Sequence, residues 1–207
     1  MSTVIQEQKV IDWSVAARPM TGQTVSGDLH VIEFFDNGVL LAVIDGVGHG
    51  NEARAVAEIA ANVLKNNAGD SVVSLVRRCH QALAKTRGAV MTLASVDMRG
   101  RRVSWVGVGN VEARLFHIEA NPSHPYEHIL LRGGLVGLQL PAAQATLTSL
   151  APGDLLVFAT DGIEQDFEAR VNPAETSRQI ADGILRRHFK GTDDALVLVV
   201  RYAGYTP

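Results

Sequence analysis

Two hydrophobic periods alternate along the chain. Residues 29–35, 39–44, 89–97, 102–108, 111–118, 128–131, 145–150, 155–160 and 195–202 are short apolar runs rich in Val, Leu, Phe and Thr. Gly, Asn or Asp bounds them, so the pattern predicts strands. Asn37–Gly38 falls between the first two runs and predicts a hairpin. Gly100 and the Gly109–Asn110 step predict further hairpin turns.

Longer segments carry the helical period. Residues 51–66 are alanine-rich and high in helix propensity. Residues 71–86 follow Asp70, a good N-cap, and place Val72, Val76, Cys79 and Leu83 at helical spacing. In 173–189, Asn172 is the expected cap, Pro173 takes the first helical position and Glu175 is placed to close a capping box. Strands joined by hairpins, with a few long helices inserted, predict an α+β fold with antiparallel sheets. No linker, low-complexity tract or composition shift divides the sequence, so 1–207 is expected to be a single domain.

Composition narrows the function classes. With 46% hydrophobic and 20% charged residues, the chain can bury a substantial core. A net charge of −3 gives no electrostatic reason to expect nucleic acid or an anionic membrane as partner. The single cysteine, Cys79, has no internal disulfide partner and sits on the apolar face of its helix as a small core residue. No positively charged segment followed by an apolar stretch opens the chain, and the strongly apolar run at 195–200 is far too short to span a bilayer. A cytoplasmic location is the expectation.

The candidate chemistry lies in an internal echo. "LLAVIDG" and "LLVFATDG" both run an apolar strand into Asp–Gly, at Asp45 and Asp161. Asp28, after Gly27, immediately precedes a strand, and Asp193 and Asp194 precede the last one. Each Asp–Gly alone is ordinary turn chemistry. As a set, converging strand ends would crowd carboxylates that cannot all stay ionised without a cation. An all-oxygen donor set suits Mg²⁺ or Mn²⁺. The histidines show no zinc-site spacing, and no glycine-rich loop ends in Gly-Lys-Ser/Thr.

"SGD" (26–28), "DGVGHG" (45–50), "LAPGDLLVFATDGIEQ" (150–165) and "TDDALVLVV" (192–200) occur in that order. Together with "RGAVMTLASVD" (87–97), "GVGNVEARLF" (107–116) and "GGLVGL" (133–138), this set resembles the bacterial SpoIIE-type branch of the metal-dependent Ser/Thr protein phosphatases, the PPM or type 2C superfamily. The resemblance implies an α-β-β-α sandwich, two antiparallel sheets flanked by helices, with a two-metal site (Mn²⁺ or Mg²⁺) at one sheet edge. Asp45 matches the acid that bridges both metals, with Gly46 offering its carbonyl, and Asp161 matches the second metal acid. Asp193 matches the remaining ligand, with Asp194 beside it, and Asp28 matches the first acid, which holds metal-bound waters as much as metal. The implied reaction is direct attack of water on phosphorus, without a phosphoenzyme. His49 is a candidate to protonate the leaving oxygen and Arg18 a candidate phosphate clamp.

The family often carries Met-Thr after its last acidic pair, where this chain has Ala195–Leu196, so a hydroxyl near the site is missing. The chain has no room for a sensor or kinase-binding domain, which likens it to small stand-alone stressosome feedback phosphatases. That likeness implies a phosphorylated STAS-domain partner, a stressosome scaffold protein. A catalytically inactive module that docks on a phosphorylated partner is the competing class. The retained, mutually repelling acids argue against it, and the lack of a basic stripe argues against a two-metal nuclease.

Overall fold

The continuous apolar runs arise because the central strands are covered on both faces. In the computed structural model, which describes residues 10–118 and 126–204, strand β3 shows this directly. Its Val39, Leu41 and Val43 enter the core between the sheets, while Leu40, Ala42 and Ile44 face a helical layer. The two-residue period is present but hidden, since both faces are apolar.

One sheet contains β1 (Ile11–Arg18), β6 (Glu112–Phe116), β7 (Tyr126–His128), β10 (Leu155–Ala159) and β11 (Ala195–Tyr202), in the order β1-β11-β10-β6-β7. The other orders β2 (Asp28–Phe35), β3 (Gly38–Gly46), β4 (Ala89–Asp97), β5 (Arg102–Val108) and β8 (Leu131–Arg132), with β9 (Thr146–Ser149) pairing β5. The β5–β8 pair is parallel. Trp105, Phe158 and Tyr202 fill the core between the sheets. Helices α1 (Gly50–Asn66) and α2 (Val72–Ala82) cover the β2–β3–β4 face, with buried Cys79 in that layer. Helix α3 (Ser177–His188) packs Ile180, Ala181 and Ile184 on the outer face of β1 and β11. The layers are therefore α-β-β-α, as the resemblance implies.

Several local expectations are corrected. Strand β1 has no apolar run to announce it, because it is an edge strand paired only with β11 and exposes Asp12, Trp13, Ala17 and Arg18. Gly109–Asn110 is not a hairpin turn: β5 and β6 lie in different sheets, and the chain crosses between them there. Residues 128–131 do not form one strand either. The chain leaves β7 after His128 and joins the opposite sheet at Leu131.

Helix α2 is capped by Ser71, whose side chain accepts from Ser74 N, and it stops at Ala82. Asp70 instead pairs with Arg78 at 2.7 Å. Helix α3 begins later than expected because Asn172 closes a local turn to Ala174 N (3.1 Å), leaving Thr176 and Gln179 to form the capping box. The Asn37–Gly38 hairpin does form: Phe35 pairs with Gly38 and Asn37 takes φ 66°. No described helix is long and apolar enough to cross a membrane. Residues 1–9 of the opening segment, on which the expectation about a leader rests, lie outside the described residues.

Candidate metal and phosphate site

At one end of the sandwich, two strand ends from each sheet meet. Antiparallel register sets Asp28, first in β2, directly opposite Asp45 near the end of β3. In the other sheet, Asp161 follows β10 through Thr160, whose N–H donates to Leu196 O (3.1 Å), while Asp193 and Asp194 lead into β11.

Bare backbone makes the convergence possible. A Cβ on Gly46 would collide with the backbone of Ala53 in α1, and one on Gly162 with the backbone of Asp194. The glycines beside Asp45 and Asp161 thus serve close approach of the protein's own segments.

Asp45, Asp161 and Asp193 line a cavity of about 310 Å³ together with Gly48, His49 and Asn110. Asp28 lies behind them, buried, its Oδ2 accepting from Thr160 Oγ1 at 2.7 Å. Burial, then the neighbouring carboxylates led by Asp28, push the Asp45 carboxyl up to about 8. Asp28 rises to about 7, chiefly through burial, with the Thr160 hydroxyl partly opposing the shift. Asp161 is also raised, by burial and by Asp193, against the lowering effect of Lys190 and Asn110. Repelling carboxylates gathered in one cavity fit hard dications, and Asp45, Asp161 and Asp193 are the acids that line it.

The remaining expected residues fall in different places. Both carboxylate oxygens of Asp194 are taken by backbone, Oδ1 by Met20 N (2.8 Å) and Oδ2 by Gly27 N (2.7 Å). Gly46 ends β3, its N–H donating to Gly27 O at 3.3 Å. His49 is exposed at the cavity and is the N-cap residue of α1, but its side chain makes no capping bond. Among the described residues, no capping side chain accepts from the first N–H groups of that helix at the cavity rim. Arg18 is exposed at the end of β1 with its guanidinium 5.0 Å from the Phe189 ring centroid, and it is not among the residues lining the cavity.

Three residues were not anticipated. Thr160 donates to Asp28 and accepts from Leu196 N (2.8 Å), so it places a hydroxyl beside the acids. Asn110 Nδ2 donates to Asp161 Oδ2 at 2.7 Å, and Lys190 Nζ donates to the Asp161 carbonyl at 2.6 Å. Thr160 immediately precedes Asp161 in the second Asp–Gly motif, which was the available signal. Asn110 was hidden in an apparent hairpin turn.

Comparison with known proteins gives the family and the fold. The family described as Stage II sporulation protein E (SpoIIE) matches residues 36–203. Phosphoserine phosphatase RsbX from Bacillus subtilis (strain 168) is 23% identical over 181 residues, covering 87% of this chain and 89% of the relative. A solved structure described as "The bacterial stressosome: a modular system that has been adapted to control secondary messenger signaling" includes a chain with TM-score 0.83 and 27% identity. The match covers 92% of this chain and 99% of that one. The crystal structure of RsbX in complex with magnesium gives TM-score 0.82 at 22% identity, over 92% of this chain and 94% of that one.

Proposed function

We propose, because this chain belongs to the SpoIIE family, that its converging strand-end acids form the active site of a metal-dependent phosphatase acting on a phosphorylated signalling protein. The enzyme is a protein serine/threonine phosphatase of the PPM type. Our assignment gives metal ligation to Asp45, Asp161 and Asp193, with Gly46 contributing its carbonyl and Asp28, buried behind them, holding metal-bound water. Two Mn²⁺ or Mg²⁺ ions are the proposed cofactor, supplying Lewis-acid neutralisation of the phosphoryl oxygens and a more acidic water. The observation that carries this reading is the shared cavity of Asp45, Asp161 and Asp193, backed by Asp28, with proton affinities raised at Asp45 and Asp28.

The protein's own groups supply orientation. Asn110 and Lys190 hold Asp161 by its side chain and its carbonyl. Thr160 fixes Asp28. The uncapped N-terminus of α1 offers backbone N–H donors to a phosphoryl group in the cavity. His49, on the rim, is the nearest candidate to protonate the leaving oxygen. Arg18 acts as a phosphate clamp only if it leaves its stacking on Phe189.

The proposed substrate is phosphoserine or phosphothreonine on a STAS-domain stressosome scaffold, removed as feedback on a stress-signalling partner switch. A similar chain from the bacterial stressosome and a similar phosphoserine phosphatase support that choice. The proposal treats 1–207 as one cytoplasmic phosphatase domain. Incubation with a panel of phosphorylated STAS proteins and with p-nitrophenyl phosphate, with and without Mn²⁺, tests it. Turnover should need the metal and should favour STAS phosphoproteins. Full activity in excess EDTA would refute the mechanism, and no turnover with retained phosphoprotein binding would favour an inactive docking module.

A further inference from the structure

A second group of ligand-type side chains lies three residues beyond Asp161. Glu164, Asp166 and His188 each present one ligand atom, and those atoms all lie within 4.8 Å of one another. His188 Nδ1 stands 3.5 Å from Glu164 Oε2 and 3.3 Å from Asp166 Oδ1. Ligands about 2.1 Å from a tetrahedral ion stand roughly 3.4 Å apart, so the histidine already sits at ligand-to-ligand spacing from both acids.

His188 supplies the independent observation. Its side chain is only 9% exposed, and neither ring nitrogen has a hydrogen-bond partner among the described residues. A buried imidazole without a hydrogen bond is costly, and here Nδ1 faces two carboxylates at 3.3 and 3.5 Å without the alignment to bond either.

Backbone bonds hold the group together without help from its side chains. Glu164 N donates to His188 O at 2.9 Å, Lys190 N donates to Gly162 O at 2.9 Å, and Ile163 and Phe189 form an antiparallel bridge. The loop leaving Asp161 is thus zipped to the end of α3. Glu164 and His188 come from opposite sides of that zipper, and Asp166 from just beyond it.

We propose that Glu164, Asp166 and His188 bind a single divalent transition ion of the Zn²⁺ class, separate from the acidic cavity. One imidazole and two carboxylates form a mixed nitrogen–oxygen set, which suits Zn²⁺ or Co²⁺ and is poor for Mg²⁺. The two acids are solvent-accessible, with side chains 54% and 78% exposed, so water can complete the shell and the ion can enter from that side. A bound ion cross-links the Asp161 loop to α3, which makes the site a brace for that loop. The proposal does not depend on the identity of the phosphatase substrate.

The test uses the full chain carrying Asp45→Asn, dialysed against Zn²⁺ in excess Mg²⁺ so that Zn²⁺ binding at the acidic cavity is suppressed. One Zn²⁺ per chain is expected, with Co²⁺ at the same stoichiometry giving the intense visible bands of a low-coordinate nitrogen–oxygen site. Adding Asp166→Asn, an exposed change that spares the core, should weaken Zn²⁺ binding at least about tenfold. Adding His188→Gln should abolish the Co²⁺ bands. Absence of Zn²⁺ binding, or affinity and spectra unchanged by both substitutions, would overturn the site. An unchanged affinity in Asp166→Asn would do so even if His188→Gln fails to fold.

Discussion

Replacing Asp45 with Asn should abolish turnover yet stabilise the metal-free protein. The folded protein binds the Asp45 proton with a pKa of about 8, against 3.8 when the residue is free of the fold. A carboxyl raised in this way costs no stability below the unfolded value. The penalty grows as pH climbs from 3.8 and is complete above the folded value. Each tenfold difference in proton affinity is worth about 1.4 kcal/mol, so near pH 7.5 the penalty is on the order of 5 kcal/mol. Asn removes the charge but buries an amide, which returns roughly 1–3 kcal/mol of the gain. The net stabilisation in EDTA is then about 2–4 kcal/mol, or roughly 5–15 °C in Tm for a chain of this size. At pH 5 most of that advantage should disappear, because wild-type Asp45 is then protonated in the folded protein and half the penalty or more is relieved. Mn²⁺ at a hundred times its Kd should stabilise the wild type by about 2.7 kcal/mol and the variant much less. Melts of both proteins at pH 5 and pH 8, in EDTA and in Mn²⁺, provide the assay. If the variant melts below the wild type in EDTA at pH 8, Asp45 is a structural turn residue and the metal-site assignment fails.

The paired acids before β11 should separate. Asp193→Ala should lose activity with little change in Tm, whereas Asp194→Ala, which strands Met20 N and Gly27 N, should cost about 2–4 kcal/mol of stability. Equal effects on both readouts would refute that division. Thr160→Val removes the bond that restrains Asp28's proton affinity, so the acid limb of the pH–activity profile should move to higher pH. An unmoved limb would show that Asp28 does not govern activity. Asn110→Ala should raise the Mn²⁺ concentration needed for half-maximal activity by about tenfold, since Asp161 loses an orienting donor. Metal titration of the variant checks this.

What could be read from the sequence depended on whether the cause was local. Strands such as β3 and β11, apolar on both faces, announce themselves by composition, whereas the α-β-β-α layering was implied only by the ordered motifs that resemble the family. Asp45 and Asp161 stand out because an acid that ends an apolar strand and is followed by Gly is visible within a few residues. Strand β1 is silent, because an edge strand with one partner alternates weakly and exposes half its side chains. Crossings between sheets are silent too. Gly109–Asn110 has the same residues whether the chain doubles back or passes to the other sheet, and only the tertiary pairing of β6 with β10 decides it. That crossing is what carries Asn110 to Asp161. Thr160 and Asp194 follow the same rule, since their partners lie 132 and 167 residues away in Asp28 and Gly27. The acids that would meet metal come from motifs, while the groups that aim them come from contacts between strand ends. Thr160 is such a group: its hydroxyl bridges Asp28 and Leu196 N, tying the end of β10 to the acid of β2 and to the start of β11.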